Sequence, residues 1–176
     1  MRRRWSCWMT PTRSRRPPEA GACAPVLLAA GLAALSLAAC SPTAPPGVDR
    51  DQLDAEVSRA IGDPASCALI GKAGSGKLLY RYNTATVCDR LLDACAGGAR
   101  MKVGDLLAAT AKDRKPRQLS CAITPDHSRG VGWASGPIAG TDMVYAAAME
   151  GDRTFPGRMM AERLEAGFRR AKVSRP

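Results

Sequence analysis

Hydrophobic and polar residues follow several different periods along the chain, and the first regular pattern after residue 48 is helical. Between residues 49 and 61, apolar side chains recur at every fourth position, at Leu53, Val57 and Ile61. This spacing places them on one face of an α-helix. An aspartate at position 49 or 51 can cap the amino end, and the Gly-Asp-Pro sequence after Ile61 ends the helix. The pattern predicts one short amphipathic helix.

Five later segments have the length and composition of β-strands. Their sequences are CALIGK (67–72), KLLYRYN (77–83), RQLSCAI (117–123), GVGWASGPI (130–138) and DMVYAAAM (142–149). A glycine-rich turn separates the first two, and turn-forming residues separate the last three. Trp133 lies in the middle of its strand and is interpreted as a core residue. The pattern predicts an antiparallel sheet of about five strands.

Helical segments stand between the strands and after them. The predicted segments are ATVCDRLLDACAGG (85–98) and VGDLLAATAK (103–112), which are short helices or irregular, and FPGRMMAERLEAGFRRA (155–171). One face of the last segment is apolar, at Met159 or Met160, Leu164 and Phe168. The predicted order is α-β-β-α-α-β-β-β-α, which is an α+β fold with helices flanking the sheet.

The amino-terminal region has the pattern of an export signal. Residues 25–39 are an uncharged apolar run, too short to span a bilayer comfortably as a permanent helix. Six arginines precede this run, against one acidic residue, Glu19. A positive flank before an apolar core is typical of secretory signal peptides, so this region is predicted to be an export signal.

The apolar run ends in Leu37-Ala38-Ala39-Cys40, which resembles the lipobox of bacterial lipoproteins. The resemblance implies that residues 1–39 are a lipoprotein signal peptide that is removed. It also implies that Cys40 becomes the acylated amino terminus and anchors the chain in the cell envelope, facing the periplasm. Several acyl chains on one residue give stable anchoring. By analogy with that family, Ser41 favours the outer membrane in a bacterium with two membranes.

The mature chain divides into an anchor region and one domain. Residues 40–63 are predicted to hold the lipidated terminus, a proline-rich tether at 41–48 and the short helix. Residues 64–173 are predicted to form a single disulfide-containing α+β domain. The chain from residue 40 onward has 20 basic and 15 acidic residues, a net charge of +5. This charge fits contact with anionic envelope material and argues little for nucleic acid in an exported protein.

The arginines of the closing helix are interpreted as a solvated face, with anionic lipid as the alternative partner. These are Arg158, Arg163, Arg169 and Arg170.

The stretch GKAGSGKLL (71–79) has the spacing of a phosphate-binding loop. Such a loop needs Ser or Thr after its lysine to hold magnesium and a helix starting at the lysine. Here Leu78 follows Lys77, and the next residues alternate like a strand. The stretch is therefore predicted to be a hairpin turn, and no nucleotide or other cofactor is expected.

Four cysteines remain in the predicted domain: Cys67, Cys88, Cys95 and Cys121. In an oxidising compartment they are expected to form two disulfides, and three pairings are possible. Cys88 and Cys95 are the closest pair in sequence, which would leave Cys67 with Cys121. Because seven residues of straight helix separate two Cα atoms by roughly 10 Å, that pairing requires a bent segment.

The same cysteines are the weak candidates for catalysis. Cys121 with His127, the only histidine, is a candidate thiolate pair, and Cys95 is a second candidate nucleophile. A zinc site is disfavoured because the chain has no Cys-x-x-Cys knuckle. No metal is therefore expected.

The predicted domain also resembles the penicillin-recognising serine hydrolases, the β-lactamases and transpeptidases, in outline. The resemblance rests on SGKLLYRYN (75–83), the Gly132-Trp133-Ala134-Ser135-Gly136 sequence and a closing amphipathic helix. No serine has lysine three residues later, and the only asparagine is Asn83, so the first two catalytic motifs of that family are missing.

The third motif of that family is also absent: the candidate strand reads Arg117-Gln118-Leu119-Ser120 where it has Lys-Thr/Ser-Gly. By order along the chain, Cys95 falls where the nucleophilic serine would stand. The resemblance therefore implies a scaffold without its active site.

Two functions follow from these patterns. The first is a membrane-anchored, non-catalytic envelope lipoprotein that binds an envelope protein or a peptidoglycan-like ligand. The alternative is a degenerate or cysteine-variant hydrolase of the β-lactamase or penicillin-binding type, with Cys95 as its nucleophile and Arg90 or Arg100 lowering the pKa of that thiol.

Overall fold

A computed structural model of the protein describes residues 44–175. The predicted signal peptide, Cys40 and the first part of the predicted tether lie outside the described residues. None of the helices in the part of the chain that is described is long and apolar enough to cross a bilayer.

The described residues form four α-helices and seven strands. In chain order these are α1 (Arg50–Ile61), β1 (Cys67–Lys72), β2 (Leu78–Tyr82), α2 (Ala85–Cys88), β3 (Leu92–Asp93), β4 (Arg100–Met101), α3 (Val103–Asp113), β5 (Arg117–Ala122), β6 (Gly130–Pro137), β7 (Met143–Gly151) and α4 (Gly157–Arg170). The α+β class and the five-stranded antiparallel sheet are confirmed. The structure also contains a short two-stranded ribbon, β3–β4, between α2 and α3, which the sequence patterns did not predict.

Five strands pair in the order β2-β1-β7-β6-β5, and every pair is antiparallel. The last strand, β7, is inserted between β1 and β6, where Ala147 lies opposite Ala68 on one side and Ala134 on the other. The three middle strands are buried almost throughout. Both faces of the sheet are therefore covered by other elements.

The first face of the sheet packs against α1 and α4. The predicted helical face of α1 is confirmed, because Leu53, Val57 and Ile61 are fully buried in the core cluster on this side. Asp49 caps the helix by accepting a hydrogen bond from the Gln52 backbone N–H at 2.8 Å. In α4, Met160 faces the core, and Met159 is 40% exposed.

The second face packs against α3, α2 and the β3–β4 ribbon. Leu106 and Leu107 of α3 are buried here against strand residues such as Val144. Trp133 is fully buried on this face, as predicted for a core residue. Its indole Nε1–H donates a hydrogen bond to the Asp93 carbonyl at 2.8 Å, which fixes the ribbon to the sheet.

A close approach of backbones positions the start of α4. A Cβ atom at Gly157 would lie 2.3 Å from the Trp133 carbonyl oxygen and 2.6 Å from the Leu119 carbonyl oxygen. Only glycine permits this contact, which lets α4 begin directly over β5 and β6.

The segment 85–98 differs from a helical prediction after its first turn. The helix α2 ends at Cys88, and the chain then forms β3, a turn and β4. Gly97 and Gly98 have positive φ angles of 56° and 82°, and Cys95 has a φ of 58°. The Cys95 backbone N–H also bonds to the Asp93 carboxylate at 2.7 Å. These conformations are incompatible with a continuous helix.

The described end of the predicted tether, residues 44–48, is not extended. It forms a turn in which the Val48 N–H donates to the Pro45 carbonyl at 3.1 Å, with Gly47 at a φ of 77°. Pro45 is buried, and Val48 packs against the core on the α1 and α4 side. These residues therefore do not have the extended conformation that prolines favour, because apolar burial and a glycine turn outweigh that preference.

Candidate functional site

The four cysteines form two disulfides, Cys67–Cys88 and Cys95–Cys121. Their Cα atoms lie 5.2 Å and 5.5 Å apart, within the normal range for a disulfide. The pairing of Cys88 with Cys95 suggested by closeness in sequence is wrong. The start of β1 lies beside α2, and the ribbon turn lies beside β5, so the fold brings together residues that are distant in sequence.

The two candidate nucleophiles, Cys95 and Cys121, are bonded to each other. Neither sulfur is a thiolate while this bond is intact. His127 lies in an exposed turn with a φ of 57°, and it lines a shallow cavity of about 300 Å³ together with Cys121. Both members of the predicted pair therefore line one cavity, but the Cys121 sulfur is bonded to the Cys95 sulfur.

Asp93 lies beside this second disulfide. Its carboxylate oxygen and the sulfurs of Cys95 and Cys121 all lie within 4.8 Å of one another, a spacing that suits a metal ion. However, both sulfurs are consumed by the disulfide, and the Asp93 carboxylate accepts the Cys95 backbone N–H. The group therefore works as a structural support for the ribbon turn.

The glycine stretch after β1 forms the predicted hairpin turn. The Lys72 N–H donates to the Lys77 carbonyl, and the Gly76 N–H donates to the Lys72 carbonyl, both at 2.9 Å. Gly74 and Gly76 have φ angles of 80° and 67°, which glycine adopts without strain. A strand follows directly, so no helix amino terminus is present here to hold a phosphate.

The residues compared with the penicillin-recognising enzymes have structural contacts. The Asn83 side-chain amide donates to the carbonyls of Pro64 and Ser66 at 3.2 and 2.9 Å. Arg117 donates to the Asp113 carboxylate at 2.6 and 3.1 Å. The Arg117 hydrogen bonds lower the pKa of Asp113 from 3.8 to about 2, which keeps this pair ionised.

Asp126, which precedes His127 in the sequence, accepts hydrogen bonds from the Ser128 backbone N–H and hydroxyl within its turn.

A second recess lies at the opposite end of the sheet from His127, beside the β1–β2 turn. We call it the basic groove. It has a volume of about 580 Å³. Its cations are Lys72, Lys77, Lys172 and Arg175. Its apolar lining includes Val48, Leu79, Met143 and Val173.

Backbone hydrogen bonds fix each wall of the basic groove. The Ala73 N–H donates to the Asp142 carbonyl at 2.8 Å, which joins the β1–β2 turn to the β6–β7 turn. The Arg175 N–H donates to the Ala139 carbonyl at 3.1 Å, so the chain after α4 lies against the same turn. The turn at 45–48 closes the third side. The groove is thus formed before any ligand arrives.

The charges of the basic groove are mostly unpaired. Lys72 lies 3.8 Å from Asp142, the only acidic residue of the lining. Lys77, Lys172 and Arg175 form no salt bridge with any of residues 44–175. Four cations and one carboxylate leave a net charge of +3 over an apolar floor.

Most arginines of α4 are engaged elsewhere. Arg170 donates to the Glu56 carboxylate at 2.6 Å, Arg158 pairs with Glu162, and the Arg163 guanidinium lies 4.1 Å from the centre of the Phe155 ring. The two groove cations at this end of the chain, Lys172 and Arg175, lie beyond the helix, in the chain that follows it. The sequence did show a basic carboxyl-terminal end, but it could not connect Lys172 with Lys77.

Comparisons with known proteins give no relative of this chain. No family model matches it, and no match was found among the curated proteins or the solved structures.

Proposed function

We propose that the protein is a lipid-anchored lipoprotein of the cell envelope, whose α+β domain binds an envelope component in the basic groove without catalysing a reaction. The observation that carries the proposal is the place of this groove. Its wall at Pro45–Val48 follows Cys40, the predicted acylation site, by only five residues.

The short connection limits how far the groove lies from an anchored terminus. Five residues of fully extended chain span at most about 18 Å. Acylation of Cys40 would therefore hold the groove close to the membrane surface. A ligand at or near that surface, an envelope protein or a peptidoglycan-like polymer among them, is within reach.

Two disulfides support an oxidising compartment outside the cytoplasm. They also support the binding role over the cysteine-variant hydrolase, because Cys95 lacks a free thiol.

Metabolic labelling with a radioactive fatty acid tests the anchor. We expect label on the wild-type protein and none on Cys40→Ala. The predicted leader contains two other cysteines, Cys7 and Cys23; Cys23→Ala provides a matched control and should keep the label. Intact mass should show a chain that begins at residue 40. Label that survives Cys40→Ala would refute the proposal.

The resemblance to the penicillin-recognising hydrolases supplies the second candidate. A five-stranded antiparallel sheet, with the first and last helices packed together on one face, favours that outline. Under the first proposal, a fluorescent penicillin should leave the protein unlabelled, both with and without a reductant. Labelling that appears on reduction and disappears in Cys95→Ala would establish the cysteine-variant hydrolase instead.

A further inference from the structure

We infer that the basic groove is a binding site for one anionic phospholipid of the membrane in which the protein is anchored. This inference deepens the proposed function and rests on it for the location of the protein. It names the ligand class as a phosphate-bearing lipid headgroup with the adjoining part of its hydrocarbon chains.

The charge of the groove selects an anion. Lys77, Lys172 and Arg175 have no carboxylate partner among residues 44–175, and they come from two different walls of one recess. Guanidinium and ammonium groups donate charge-assisted hydrogen bonds to phosphate oxygens. A phosphate group entering between the walls would therefore be approached by cations from both sides.

The floor of the groove selects an amphiphile over a free anion. Val48 and Leu79 are half-buried in this lining and pack against the core on the α1 and α4 side, and the buried side chains of Met143 and Val173 lie beside them. A bare phosphate would leave this apolar surface in contact with water. A lipid would bury it, at a gain roughly proportional to the apolar area covered. The volume of about 580 Å³ fits a headgroup and the start of its chains.

The position of the groove selects the membrane as the source. The turn at Pro45–Val48 is a wall of the groove and lies close to Cys40 in the sequence. From Cys40 to Pro45 there are five Cα-to-Cα steps, so Pro45 lies at most about 18 Å from the acylated residue. Phospholipid headgroups therefore surround the groove at a high local concentration.

Native mass spectrometry of the acylated mature protein in detergent micelles tests the inference. The probes are phosphatidylglycerol, phosphatidylcholine and glycerol 3-phosphate. We expect one phosphatidylglycerol per chain, bound on the order of 100-fold more tightly than phosphatidylcholine, because each of three unpaired cations contributes about fivefold. Glycerol 3-phosphate should bind far more weakly than the intact lipid, since it cannot cover the apolar floor.

The variant K77Q/K172Q/R175Q removes the three unpaired cations. We expect its affinity for phosphatidylglycerol to fall to that for phosphatidylcholine, a loss on the order of 100-fold. The matched control K115Q/R153Q/R158Q removes the same charge from exposed positions outside the groove and should bind like the wild type. If the triple variant misfolds, K77Q and R175Q alone should each lose about fivefold.

Three outcomes would overturn the inference: equal affinity for both lipids, equal loss in the control variant, or glycerol 3-phosphate binding as tightly as the lipid. Binding of soluble peptidoglycan fragments in place of lipid, abolished by K77Q/K172Q/R175Q, would assign the groove to the other ligand class. The same spectra report the acyl mass on Cys40, so failure of the anchor and failure of the groove are separate results.

Discussion

The two faces of the central sheet are closed in different ways. On the first face, two regular helices, α1 and α4, cover the strands with a continuous apolar core that contains no disulfide. On the second face, the strands are covered by α3 and by a mostly irregular stretch of chain from residue 84 to residue 102. Both disulfides lie on this second face.

The difference shows what covalent bonds replace in this fold. A helix of 12 to 14 residues, as in α1 and α4, satisfies its own backbone hydrogen bonds and offers a full apolar face. The chain at 84–102 has few regular hydrogen bonds and few large apolar side chains. The cross-links at Cys88 and Cys95, both within this stretch, restrict the unfolded chain, which compensates for weaker burial.

The largest effect is expected from breaking the first face. Phe168→Ala removes a fully buried ring that packs edge-on against Tyr145 with centroids 5.3 Å apart. We expect a loss of about 3 to 5 kcal/mol in the free energy of unfolding, measured by urea denaturation of the oxidised protein. Met159→Ala, on the exposed side of the same helix, is the control and should change stability by less than about 0.5 kcal/mol. A small effect of Phe168→Ala would show that α4 is not essential to this face.

Removing a disulfide should have the next largest effect on the free energy of unfolding, and the change in structure should be local. The double variant Cys67→Ala/Cys88→Ala removes a link across 21 residues, and we expect a loss of about 3 kcal/mol. Hydrogen exchange should become faster in residues 84–102, with α1 and α4 keeping their protection. Loss of protection in all helices together would mean that the two faces unfold as one unit.

A smaller effect is expected for the contact that joins the β2 edge to α1. The Tyr80 hydroxyl donates to the Asp54 carboxylate at 2.6 Å, and burial followed by this hydrogen bond raises the pKa of Tyr80 above its ordinary 10.0. Tyr80→Phe should cost about 1 to 2 kcal/mol in urea denaturation, since Asp54 stays accessible to water. Tyr82→Phe, on the same strand, should cost less than about 0.5 kcal/mol. Equal losses would show that this hydrogen bond contributes nothing.

Low pH should reduce the stability of both faces, because each is stabilised by one ionised carboxylate. On the first face, hydrogen bonds from Arg170 lower the pKa of Glu56 below 4.5. On the second, those from Arg117 lower the pKa of Asp113 from 3.8 to about 2. Because the folded values are depressed, the stabilisation is complete above the unfolded values and is lost as the pH falls through the folded ones.

The variants Glu56→Gln and Asp113→Asn test this pH dependence. Both should be less stable than the wild type at pH 7, by the smallest margins of the set, because the arginine partner of each carboxylate is partly exposed and solvent screens the pair. The difference should shrink for Glu56→Gln as the pH falls below 4.5, and for Asp113→Asn between pH 3.8 and about 2. A difference that stays constant down to pH 2 would contradict the ion pairs as its origin.

Local patterns predicted most of the regular elements. The periodic positions of α1 and the apolar face of α4 were identified correctly, because burial of one helix face leaves a repeat near 3.6 residues. The glycine hairpin at 71–77 was also identified, since its φ angles require glycine. The β3–β4 ribbon was not, because two-residue strands leave no period in the sequence.

The α+β class, the order of the main elements and the presence of four cysteines in one domain could be predicted without a structure, since these depend on local propensity and composition. The pairing of the cysteines could not, because it depends on which distant segments lie side by side in the fold. Only the tertiary structure assembled the basic groove, whose cations Lys77 and Lys172 are nearly one hundred residues apart along the chain. Charges that act together on one ligand leave no fixed spacing in a sequence, because a Coulomb interaction depends on the separation of charges in space and not on their separation along the chain.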